Sequence, residues 1–265
     1  MSKQSFFCYN IIMIISKITQ NLSTYKEDFK NNFKWLKFET EHYIFHYFPQ
    51  TVAESEIHQI SETQEKAFNK IIKFLEVSAP EIKITYYLYP DSEIKKELMG
   101  DDWYAQAIWK DFIVHILYTE DIKPIGEHED THLLSLPWGL SIAFFQEGLA
   151  EYMVGHGWHG EDHNILAMEA LKKNLLPSIE SMMDHAKWKE LSDDHALYYY
   201  CFVGSFTKFL IDHYGKEKFK MLYQQTNRTK TKEENISIFR NVYGISPNEV
   251  EIAWEAFINN KNKIK

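Results

Sequence analysis

The sequence predicts an α+β protein. Strand-like and helix-like periods mix from Trp35 to about Glu120, and the period turns helical nearly throughout from Glu127 to the C-terminus. A third observation sits where the two textures meet. The stretch GEHEDTHLLSLPWGLSIAFFQEGLAEYM, Gly126 to Met153, sets two histidines four apart with an acid between them, then two more acids four apart. The expected order is an N-terminal segment, residues 1–34, followed by one domain over 35–265. That domain opens with a mixed α/β part and a small sheet at 35–122, and continues at 123–265 as metal-binding helices and a mainly helical part.

The elements follow in order. WLKFET and HYIFHYF alternate with period two around a short polar turn, which reads as a hairpin. From Ala53 to Leu75, apolar residues at Ile57, Ile60, Ala67, Phe68, Ile71, Ile72 and Leu75 keep the spacing of one helix face. IKITYYLYP then returns to strand with a proline stop, and DFIVHILYTE is a further strand. IGEHEDTHLLSL reads as a helix closed by Pro137-Trp138-Gly139, with SIAFFQEGLAEYM as the helix that returns beside it. Two clear helices come later: YYYCFVGSFTKFLIDHYG, ending at Gly215, and PNEVEIAWEAFINN, opening after Ser246-Pro247.

Composition excludes several classes of function. The 265 residues, 45% hydrophobic, can bury a core, and the net charge of -9 is spread without a long basic run, so nucleic acid is not an expected partner. Two cysteines, Cys8 and Cys201, give no disulfide framework. No stretch reaches the ~20 apolar residues of a transmembrane helix. Phe6 to Ile15, FFCYNIIMII, follows Lys3 and has the length of a signal-peptide apolar region. Asn10 interrupts it, however, and SKITQNLS offers no small-x-small cleavage site, so an N-terminal helix is favoured over a secretion signal and cytoplasm over secretion, with the compartment left open.

His128-Glu129-Asp130-Thr131-His132 is an H-E-x-x-H motif. On a helix its histidines project from one face a turn apart, near enough to share a tetrahedral metal, while Glu129 stands beside it. A carboxylate in that place can take a proton from a metal-activated water and pass it to a leaving amine. On the next helix, Glu147 and Glu151 share a face, so a third ligand is available there. Two histidines and one carboxylate with an open fourth position describe catalytic zinc, whereas a structural site wants four ligands and usually thiolates. If no metal bound, the acids would be a solvated face and the histidines interface polars. A half-buried helix with that much charge inside apolar flanks would then be costly.

H-E-x-x-H, a short apolar spacer, QEGLAEYM and later YCFVGSFTKFLIDHYG together resemble the gluzincin metallopeptidases, most closely the bacterial peptidase-MA-like families with E-G-x-A-x-Y and Y-x-x-x-G-S-F segments. FETEHYIFHY, QEKAFNKIIKFL, ITYYLYPD and FIVHILY are similar, in order, to the strand-helix-strand part preceding the zinc helix there, so the resemblance spans about Trp35 to Tyr223. It implies zinc on His128, His132 and Glu147, with Glu129 as general base. The spacer before Glu147 is shorter than in the aminopeptidase and thermolysin-like branches, and Glu151 lies nearer their spacing. Glu147 is the expected ligand, and Glu151 the acceptor that orients a ligand imidazole. Of Tyr198, Tyr199 and Tyr200, the resemblance selects Tyr200, four before Gly204, as donor to the developing oxyanion. FIVHILYTE is expected to be the sheet edge that pairs with extended substrate, its His115 solvent-facing or in the core. GHGWHGEDHN, with His156, His159 and His163, reads as an exposed loop rather than a second metal site.

The implied activity is zinc-dependent hydrolysis of a peptide or protein substrate in a cleft holding one zinc. With no G-x-M-E-N motif between Tyr104 and Glu127, an endopeptidase or carrier-specific processing enzyme is expected over an aminopeptidase. A zinc hydrolase of a non-peptide amide or ester would use the same residues, and a non-catalytic binding protein could retain the fold.

Overall fold

A computed structural model of the chain describes residues 35–261, so Phe6 to Ile15 and Cys8 lie outside the described residues. The structure is α+β, with two compact units that divide between Leu134 and Ser135.

Among the described residues the first unit carries five strands: β1 (Leu36–Glu39), β2 (Tyr43–Tyr47), β3 (Ile84–Tyr89), β4 (Ala105–Ile108) and β5 (Ile113–Leu117). Their order in the sheet is β1-β2-β3-β5-β4. β1 and β2 form the antiparallel hairpin that their alternation predicts, with Phe38 opposite Phe45. β2 and β3 run parallel, so a crossover has to join them, and helix α1 (Val52–Leu75) supplies it. Tyr43, Phe45 and Tyr47 put their side chains on one buried face of the pleat. α1 packs against β2 through the stripe Ala53, Ile57, Ile60, Ala67, Phe68, Ile71 and Leu75, and stops at Glu76 in the left-handed region, φ 54°. Helix α2 (Ser92–Met99) begins where the Asp91 carboxylate accepts from the Ile94 N–H, and ends at Gly100. Helix α3 (Glu127–Leu134) closes the unit, packed against α1 and β4.

One expectation is corrected here. The FIVHILYTE strand, β5, is interior, hydrogen-bonded to parallel β3 on one side and antiparallel β4 on the other, and β4 is the edge. AQAI is short and, apart from Ile108, wholly buried, so no alternation announces it. His115 is a core residue. Its Nδ1 meets the Tyr89 hydroxyl at 2.9 Å, its ring stacks on Tyr87, and burial holds the imidazole well below the ordinary histidine range.

The second unit is helical: α4 (Ala143–Val154), α5 (His163–Lys172), α6 (Ala196–Tyr214), α7 (Lys216–Gln225), α8 (Lys232–Tyr243) and α9 (Pro247–Lys261), with short 3₁₀ turns between some of them. α6 carries apolar residues on almost every side, which suits a helix surrounded by others, and α4 and α5 pack on it. The contact of α4 with α6 is close: a Cβ at Gly148 would overlap the Thr207 side chain. α8 opens with a reciprocal capping box between Thr231 and Glu234. From α9, the buried Trp254 donates through Nε1 to Ser205 Oγ, which donates to Asn164 Oδ1, so one polar chain links α9, α6 and α5. No helix among the described residues is long and apolar enough to cross a membrane.

Candidate metal centre

α3 is only eight residues long, and its wheel sorts the motif. At about 100° per residue, His128 and His132 lie within roughly 40° of one another, and Glu129 flanks them. Asp130 points roughly 180° from their mean direction. The histidine ring centroids are 5.1 Å apart and nearly perpendicular. Glu129 is buried beside them, and on α4 Glu147 is 2% exposed. Among the described residues, His128, His132 and Glu147 form a group able to hold a metal: each offers one ligand atom, and these atoms all lie within 4.8 Å of one another. Ligands on a tetrahedral zinc stand about 3.4 Å apart, given bonds near 2.05 Å. Two imidazoles and one carboxylate are a donor set that could hold a metal ion, zinc among them.

Glu151, one turn beyond Glu147 and equally buried, has a partner the sequence did not suggest. His163 Nε2 lies 3.0 Å from Glu151 Oε2. The loop reading holds for His156 and His159, which are exposed. It fails for His163, because the Asp162 carboxylate accepts from the Asn164 and Ile165 N–H groups and starts α5 there, with the imidazole turned inward. Gly204 on α6 leaves room for this pair: a Cβ there would stand 2.7 Å from His163 Nδ1 and 2.9 Å from Glu151 Cβ.

The three successive tyrosines of α6 separate by environment. The Tyr198 hydroxyl hydrogen-bonds Lys173, and the Ser192 backbone hydrogen-bonds Tyr199. Tyr200 is buried, its ring against Trp158 and Trp188 at centroid distances of 5.5 and 5.6 Å. The first turn of α4 has its own polar partners. His185 Nδ1 accepts from the Ala143 N–H, and Arg228 donates to Gln146 Oε1. Burial and the nearby Arg228 charge lower the His185 imidazole to about 4.

Sequence reasoning passed over two buried polar groups in the first unit. Lys95, wholly buried on α2, pairs with Asp101 at 2.5 Å. Burial draws its ammonium below the usual lysine range, while Asp101, Asp102 and, from α3, Glu129 act in the opposite sense. The other is Asp130. Its Oδ1 accepts from the Tyr86 hydroxyl at 2.6 Å, and its Oδ2 from the Tyr43 hydroxyl at 2.5 Å and Gln64 Nε2 at 2.9 Å. Burial pushes the carboxyl up to about 7 in spite of these donors. The one sequence signal was an acid on the wheel position opposite the histidines, where an apolar residue belongs.

No protein-family profile matches the chain. Over 149 residues, 54% of its length, the chain is 28% identical to an uncharacterized protein of Treponema pallidum (strain Nichols), and the match covers 13% of that relative. The chain thus spans a small part of that protein, whose name states no activity. Function has to be read from the side chains grouped around His128 and His132.

Proposed function

We propose that this chain is a zinc-dependent peptidase of the gluzincin kind, with one zinc held by His128, His132 and Glu147 and with Glu129 as general base. The approach of three ligand atoms to within 4.8 Å of one another carries the reading. Three protein ligands of this kind would leave zinc a position open for chemistry, whereas a closed structural site would need a fourth protein ligand. Zinc supplies Lewis acidity, lowering the pKa of water to about 7 and polarising a carbonyl.

The remaining work falls to side chains of this chain. Glu129, flanking the histidines on the same helix, accepts the proton of the attacking water and delivers it to the leaving amine nitrogen. Glu151 accepts from a ligand imidazole and fixes its ring, with His163 behind it. Tyr200, the tyrosine that the resemblance selects, donates its hydroxyl to the carbonyl oxygen as negative charge builds. The substrate is a peptide or protein, and with no G-x-M-E-N stretch between Tyr104 and Glu127 an endopeptidase or carrier-specific processing enzyme is favoured over an aminopeptidase.

Elemental analysis, with digestion of a broad peptide library by wild type and Glu129→Gln, tests this. The expected result is one zinc per chain in both proteins, with cleavage at least 10²-fold slower in the variant. Wild type that neither carries nor takes up zinc, or a variant that cleaves at the wild-type rate, overturns the proposal.

A further inference from the structure

We infer that Asp130 is the positioning residue of the metal centre, a buried carboxylate that fixes the rotation of α3 about its axis and so aims His128 and His132. The inference rests on the metal-site reading proposed above. Both oxygens of Asp130 are used, and their three donors come from three separate elements: Tyr43 from β2, Gln64 from α1 and Tyr86 from β3. Gln64 reaches further. Its Oε1 accepts from the Gly126 N–H at 2.5 Å, immediately before α3 begins, and its Nε2 also lies 2.7 Å from the Tyr86 hydroxyl. The Tyr43 hydroxyl is in turn 3.0 Å from the Gln64 carbonyl oxygen. α3 is therefore held just before its first residue and on its back.

Two turns of helix have little stability of their own, so their orientation comes from tertiary contacts. The back of α3 also carries Leu133 and Leu134, both buried, but apolar packing is non-directional and tolerates small rotations. Hydrogen bonds to two oxygens from three directions do not. A ligand atom on the histidine face stands about 6 Å from the helix axis, so a rotation of about 10° moves it by about 1 Å. Metal–ligand distances hold within about 0.2 Å, and the imidazoles can follow such a rotation only by leaving their rotamer wells. The polar cluster is thus on the face of α3 opposite the metal and sets how well the ligands converge.

The test uses the full chain and the metal alone. Zn²⁺ affinity is measured by competition with a chromophoric chelator, and the visible d–d spectrum of the Co²⁺-loaded protein reports ligand geometry. Asp130→Asn keeps the shape of the side chain but sets an NH₂ against at least one donor. It should weaken zinc 10- to 100-fold, the range for lost outer partners of metal ligands, and change the Co²⁺ spectrum. Tyr86→Phe removes one donor and should shift both readouts in the same direction by less. Val242→Ala, on α8 of the other unit, lowers the melting temperature and should leave both readouts at wild type. If Asp130→Asn does not fold, Tyr86→Phe decides alone. Folded variants with wild-type zinc affinity and an unchanged spectrum overturn the inference and leave the proposed function standing. A wild type that binds no metal overturns the proposed function itself.

Discussion

Replacing Gly204 by alanine asks how tightly Glu151 and His163 are seated. The added Cβ would lie 2.7 Å from His163 Nδ1, 2.8 Å from its Cε1 and 2.9 Å from Glu151 Cβ, all inside van der Waals contact. The imidazole is buried and bonded to Glu151, so moving it aside disturbs packing or breaks that bond. Overpacking of this kind costs about 1–3 kcal/mol. If the ring swings out instead, a charge-assisted hydrogen bond of about 1.5–3 kcal/mol is lost. Against this, alanine gains about 1 kcal/mol over glycine in a helix. The net loss should be about 0.5–2 kcal/mol, which in a chain of this size lowers the melting temperature by about 1–8 °C. Chelator-treated protein followed by circular dichroism in urea and on heating gives the value without a metal contribution. A His163→Ala partner removes two of the three collisions, so the double variant should be at least about 1 kcal/mol more stable than additivity allows. A Gly204→Ala protein within about 0.5 kcal/mol of wild type, or an additive double variant, would refute the close-packing argument.

Glu147→Gln should weaken zinc far more than Glu151→Gln, whose outer role is worth about 10- to 100-fold, and the reverse order by competition titration would make Glu151 the ligand. Tyr200→Phe should cut turnover by on the order of 10²-fold with zinc content and melting temperature unchanged, while Tyr199→Phe, about 100° around α6, leaves turnover alone. Equal effects at the two positions would remove Tyr200 from catalysis. His185, lowered from 6.5 to about 4 in the folded chain, is neutral there while the unfolded chain binds a proton between those values. Its contribution is therefore complete above pH 6.5 and is lost as pH falls toward 4. At about 1.36 kcal/mol per pH unit the ceiling is about 3.4 kcal/mol, reduced to about 2 or less because the residue is only half-buried. Stability curves of chelator-treated wild type and His185→Gln should diverge over that interval by about this amount, and parallel curves would show that His185 does not titrate as described.

Elements whose signal is local could be read from the sequence. The apolar stripe of α1, the β1–β2 hairpin and the α6 boundary at Gly215 each depend on residues a few positions apart, and each appears where its period places it. The H-E-x-x-H helix and the E-G-x-A-x-Y helix were legible for the same reason. What escaped depends on distant partners. β4 is a four-residue strand made by its pairing with β5 rather than by its own pattern. Gln64 sits in a polar-looking run, and its burial makes sense only once Tyr86, Gly126 and Asp130 are beside it. His163 lay in a glycine-rich stretch that reads as loop, and only the Asp162 cap moves it onto a helix facing Glu151. α2 is a different case, since the Asp91 cap and Gly100 stop were both visible and its eight residues were simply too short to show a stripe.

The clamp on Asp130 has a consequence for descent. Four positions far apart in the chain, 43, 64, 86 and 130, hold one shared set of hydrogen bonds. Losing either tyrosine hydroxyl strands part of a buried carboxylate, and losing the carboxylate strands buried donors, so no single step away from this arrangement is neutral. Relatives should accordingly either keep all four residues or replace the set together with an apolar one, Asp130 giving way to a leucine-like residue as Tyr43 and Tyr86 become phenylalanine. Intermediate combinations should be rare even where the metal ligands themselves never change.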